Sequence, residues 1–182
     1  MNLSETYVPY DGGTLWTCTS GPDNNPVILL CNGGPGCCDY LEPVADMLND
    51  QYRVIRFEQR GCGRSTADGS YDLTTTVEDI ERIREHYGVK KWIVGGHSWG
   101  ANLAFVYAMT YPERVQALLY ISGNGIQNDR HWSEEYTTAT VMNAANSPLK
   151  WRIRATRRLT LKEIVHCENS AAPPIFSCVF QK

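Results

Sequence analysis

Several features that would assign this chain to a large functional class are missing from it. Its first residues, Met1-Asn2-Leu3-Ser4-Glu5, carry no basic region followed by an apolar stretch, so no signal peptide is expected. Its longest apolar runs, such as residues 27–31, are far too short to span a bilayer, so no membrane partner is expected. Charge of one sign is not in excess: 17 Lys and Arg face 20 Asp and Glu, for a net charge of −3. Nothing in that balance draws the protein to nucleic acid. No Cys-x-x-Cys pair occurs among the seven cysteines, Cys37 and Cys38 are adjacent, and the four histidines lack metal-ligand spacing. No metal and no cofactor are therefore expected. An odd cysteine count without a secretion signal favours reduced thiols and a cytoplasmic location. Internal repeats and low-complexity tracts are also absent.

What is present is an alternation of short apolar runs and amphipathic segments in 182 residues, enough for a domain with a real core. Two strands are expected at residues 6–10 and 14–19, split by the turn signal Asp11-Gly12-Gly13. Residues 27–30 read as a strand buried on both faces. The loop Asn32-Gly33-Gly34-Pro35-Gly36 follows, then Leu41, Val44, Ala45 and Leu48 at helical spacing. A strand at 52–57 leads into the loop Arg60-Gly61-Cys62-Gly63-Arg64-Ser65. Thr75-Thr76-Val77-Glu78 reads as a capping box starting a helix, with Val77, Ile80, Ile83 and Tyr87 facing inward and Gly88 at its end. Strand 91–94, helix 101–110 and strand 115–122 complete the pattern. It predicts an α/β fold with a mostly parallel sheet covered by helices on both faces.

Residues 1–123 are thus read as the core, 124–165 as a helical cap segment, and 166–182 as a return to the core with a late strand at 173–180. Six basic residues and no acidic one fall within 150–162, which is read as a solvated helix face.

The chemistry concentrates in Gly96-His97-Ser98-Trp99-Gly100, a G-x-S-x-G nucleophile elbow between a strand and a helix. In such a turn, strand and helix approach so closely that side chains two before and two after the serine would collide. The helix that follows points its positive N-terminal dipole at Ser98. Acyl transfer also needs backbone N–H groups aimed at the oxygen that becomes negative. The glycine-rich loop offers one, that of Gly34, supported by Gly33 and Asn32; the elbow offers the other, that of Trp99.

Three motifs in order then resemble the proline iminopeptidase-like branch of the α/β-hydrolases. They are Asn32-Gly33-Gly34-Pro35-Gly36, Glu58-Gln59-Arg60-Gly61-Cys62-Gly63-Arg64-Ser65 and Gly95-Gly96-His97-Ser98-Trp99-Gly100. The resemblance covers residues 14–135 well and implies removal of an N-terminal residue, often proline, from small peptides, or hydrolysis of related amides and esters. Glu58 stands where that branch usually has aspartate, and Asn32 where histidine is more frequent. The resemblance implies that Arg60 and Arg64 brace the oxyanion loop rather than touch substrate. It also implies acidic residues in the cap that bind a substrate amine, a role that neither Glu134 nor Glu135 matches by motif.

In this fold the triad acid and histidine follow the serine along the chain. Here the last expected strand is followed only by Gln181 and Lys182. The expectation is a chain truncated before the acid and base, with poor turnover by Ser98. Asp129 with His131, His97, His86 and His166 are weak substitutes on their sequence positions. A second expectation is an apolar sheet edge that favours self-association. A non-catalytic member that only binds, or an esterase of the same fold, fits the same motifs.

Overall fold

The computed structural model describes residues 3–34 and 36–123, together with the backbone of two short strands at 153–154 and 175–178. Strands β1 (Ser4–Tyr10) and β2 (Gly13–Ser20) form an antiparallel hairpin. Tyr10 pairs with Gly13, so Asp11 and Gly12 alone make the turn that the Asp-Gly signal predicts. Then come β3 (Val27–Cys31), helix α1 (Glu42–Asp46), β4 (Arg53–Phe57), α2 (Leu73–His86), β5 (Trp92–His97) and α3 (Trp99–Thr110). A short 3-10 turn, Pro112–Arg114, leads into β6 (Val115–Ile121), followed by β7 (Ile153–Arg154) and β8 (Ile175–Cys178).

The strands form one sheet in the order β1-β2-β4-β3-β5-β6-β8-β7. Pairing is antiparallel at β1/β2 and β2/β4 and parallel from β4 onward. The expected architecture, a mostly parallel sheet with helices, is the one observed. One difference falls in the 124–165 segment read as helical. Ile153 and Arg154 form a strand there, pairing with Ile175 and Phe176. β8 is therefore flanked on both sides rather than forming the edge itself.

β3 shows why the strand had to read as uniformly apolar. Ile28 and Leu30 pack with Leu41, Ala45, Leu48 and Tyr52 on the α1 side. Leu29 and Cys31 pack with α2 and α3 on the other. Each such buried leucine or isoleucine contributes about 1.5–3 kcal/mol. α3 is buried nearly all round, at Gly100, Ala101, Asn102, Leu103, Ala104, Phe105, Tyr107 and Ala108. A helix without a polar face is one built into the core.

α2 buries Val77, Ile80 and Ile83 as expected, and Tyr87 is partly buried against them. Its start is a correction. The cap is Asp72, whose carboxylate accepts the Thr75 N–H at 2.8 Å. Thr75 and Glu78 lie inside the helix rather than forming the capping box. Asp72 wins because its carboxylate also takes the Thr75 hydroxyl, at 3.0 Å, and that of Ser70. These bonds hold its pKa down at about 2, against an ordinary 3.8.

Candidate active site

β5 ends at His97 and α3 begins at Trp99, so Ser98 alone makes the turn. Its backbone sits at φ 56° and ψ −122°, a strained conformation for a residue with a side chain. Two bonds hold it there. The Ser98 N–H donates to Ile121 O on β6 at 2.9 Å, and the Ser98 carbonyl accepts the Ala101 N–H at 3.0 Å. A serine at a helix N-cap ordinarily uses its oxygen on the helix. Here it makes no such bond, so among the described residues the hydroxyl is not spent on capping α3.

The flanking glycines fit their steric reason, with one refinement. A Cβ at Gly96 would sit 2.1 Å from Gly100 O, so this site lets strand meet helix. A Cβ at Gly100 would sit 2.2 Å from Cys31 O and 2.5 Å from Asn32 O. Gly100 therefore lets the helix touch the end of β3, where the glycine-rich loop begins.

That loop lies against the elbow. A Cβ on Gly33 would fall 2.9 Å from the Ser98 Cβ and 2.7 Å from His97 O. Asn32 is fully buried, and its Nδ2 donates to Cys37 O at 2.7 Å. Gly34 O accepts the Cys37 N–H at 3.0 Å. The Gly33 N–H donates to the Tyr40 hydroxyl at 2.7 Å, and that hydroxyl lies 2.7 Å from His97 Nδ1. Sequence reasoning misses Tyr40, because a lone tyrosine after a loop carries no motif.

The model of the alpha/beta hydrolase fold family matches residues 26–161. The chain belongs to this α/β-hydrolase family. The proline iminopeptidase of Neisseria meningitidis serogroup A is 42% identical over 128 residues, 65% of this chain and 37% of that protein. Among solved structures, a bacterial membrane phospholipase A aligns with TM-score 0.65 and 30% identity, over 71% of this chain and 42% of that one. A proline iminopeptidase-related protein of Thermus thermophilus aligns with TM-score 0.60 and 26% identity, over 68% and 45%. The chain thus spans little more than a third of the length of the Neisseria relative.

In this α/β-hydrolase, the arginines of the loop after β4 are held by structural partners. Glu58 is 1% exposed, and its Oε1 accepts the Asp39 N–H at 3.0 Å and Arg64 Nη2 at 2.8 Å. Its Oε2 accepts the Arg64 N–H at 2.6 Å. Burial works to raise the Glu58 pKa, but these bonds prevail and the net direction is down. Asp39 pairs with Arg56, and both side chains are buried. Arg60 grips Asp79 with two bonds, 2.6 and 2.7 Å long. Glu58 and Asp39 thereby tie the segment after the glycine-rich loop to β4 and its following loop.

Two histidines are described. His97 faces Tyr40, its ring edge-on at 5.7 Å. His86 ends α2 against Tyr87, 5.2 Å away. Among the described residues, no histidine hydrogen-bonds the Ser98 hydroxyl. Asp129, His131, Glu134, Glu135 and His166 lie outside the described residues. The five described cysteines are free, with Cys37 and Cys38 exposed. No described cluster of three or more His, Cys, Asp or Glu residues is arranged to hold a metal, and no described helix is long and apolar enough to cross a membrane.

Proposed function

We propose that this chain supplies the nucleophile and oxyanion donors of a serine hydrolase for small amide or ester substrates, most like a proline iminopeptidase. The observation that carries the reading is a serine at positive φ that makes no capping bond, packed on Gly33 at the start of a buried helix. In this scheme the Ser98 oxygen attacks the substrate carbonyl and loses its proton to a base. The carbonyl oxygen becomes negative facing the N–H groups of Gly34 and Trp99, each donor being worth about 3 kcal/mol of barrier. Collapse expels the amine or alcohol, leaving the acyl group on Ser98, and water then releases it.

Among the described residues, no histidine reaches the hydroxyl to act as that base. An ester, whose carbonyl is more electrophilic than an amide's, suits such a site as well. The likeness to a phospholipase supports esterase chemistry as the second reading.

A fluorophosphonate probe tests the nucleophile. Ser98 becomes labelled, and Ser98→Ala removes the label, with mass spectrometry reading the site. Labelling elsewhere that survives Ser98→Ala would sink the reading. Proline arylamide against short-chain aryl esters then separates peptidase from esterase.

A further inference from the structure

We propose that Tyr40 is a positioning residue that ties the oxyanion loop to the elbow and leaves Gly34 as the loop's donor. The inference rests on reading Ser98 as the nucleophile, and it concerns a residue outside the three motifs.

A tyrosine hydroxyl has one proton to give and lone pairs to accept with. The Gly33 N–H occupies a lone pair at 2.7 Å. The same hydroxyl lies 2.7 Å from His97 Nδ1, a second bond in which the hydroxyl is the donor when Nδ1 carries no proton and the acceptor when it does. A relay of two hydrogen bonds therefore runs from the loop, through Tyr40, to the residue that precedes Ser98. The edge-on ring contact with His97 keeps the tyrosine in that orientation.

Two consequences follow. First, the Gly33 amide is already engaged and is withheld from a substrate oxygen, so the loop presents the next amide, that of Gly34. Second, the loop gains a tether to β5. Asn32 and Gly34 bond to Cys37 within the same segment, and Asp39 and Glu58 tie its far end to the β4 side. Tyr40 crosses to the strand carrying the nucleophile. Oxyanion donors act only when held within tenths of an ångström of the developing charge, so such a tether bears on rate.

Tyr40→Phe keeps the ring and removes the hydroxyl. Amide hydrogen exchange and the rate of Ser98 modification by a small fluorophosphonate are measured together. The expected result is Gly33 exchange at least about tenfold faster, with Ile28, Leu29 and Leu30 unchanged, and modification slowed about fivefold to tenfold, as for one lost hydrogen bond. Unchanged Gly33 exchange overturns the proposal, as does faster exchange with an unchanged modification rate. If the unsubstituted chain is not modified at Ser98, the nucleophile reading fails and the positioning role falls with it. Exchange at Gly33 still reports the tether in that case, so the two failures are told apart.

Discussion

The two loops that meet at Ser98 are held by opposite means. The elbow is held by the lack of side chains: Gly96 and Gly100 close gaps that leave no room for a methyl group. The glycine-rich loop is held by the presence of them: Asn32, Asp39, Tyr40 and Glu58 each commit a polar group to it or to the segment just after it. Steric closure is unforgiving but self-contained. Polar bracing is spread over partners far along the chain and is exposed to pH.

The largest expected effect is on the polar side. Asp39→Ala strands the buried Arg56, whose other side-chain hydrogen bond among the described residues is a long one, 3.6 Å to Cys18 Sγ. Breaking a buried pair this way costs about 3–5 kcal/mol, read as a shift of the urea midpoint. Replacing both partners together, Asp39→Leu with Arg56→Met, is expected to recover most of that loss. A full loss in the double variant would show that the pair is more than mutual neutralisation.

Next comes the steric side. Gly96→Ala is expected to cost about 3 kcal/mol, because its Cβ would meet the Gly100 carbonyl at 2.1 Å, and backbone cannot swing aside as a side chain can. Denaturant unfolding measures it. A cost within error of zero would break the contrast drawn between the two loops.

The smallest effect is titratable. The Glu58 pKa lies below its ordinary 4.5 in the folded protein, so its contribution is complete above that value and is lost as pH falls through the folded pKa. Glu58→Gln should therefore destabilise by about 1–2 kcal/mol at about pH 7 and by less at a pH low enough to protonate Glu58 in the folded protein. Urea midpoints of both proteins at the two pH values check the sign. A penalty that grew on acidification would contradict the bracing role.

This contrast also explains what is legible in the sequence. The elbow is readable because its constraint is local: five consecutive residues contain both the turn and the reason for it. Strands β1 to β6 are readable from apolar runs and turn residues for the same reason. The bracing is only partly readable. Asp39 and Arg56 are 17 residues apart, and Tyr40 and His97 are 57 apart, and no local pattern marks such pairs. Glu58 and Arg64 are placed through the family motif rather than from their own spacing. The α2 start misleads because Asp72 and Thr75 are both competent caps, and bonds to Ser70 and Thr75 decide the choice. β7 is two residues long and has no periodicity to detect.

The N-terminal hairpin lies upstream of the family match, which begins at residue 26, yet it forms the floor under the brace. Arg64 lies over the Trp16 ring, 3.2 Å from its centroid, and the Ser65 hydroxyl oxygen accepts the Trp16 backbone N–H. The family boundary is thus not a seam in the protein. Trimming the polypeptide to that boundary would remove the surface on which Arg64 rests. Damage from the missing hairpin would then surface on the far side of β4, in the loop proposed to greet a substrate.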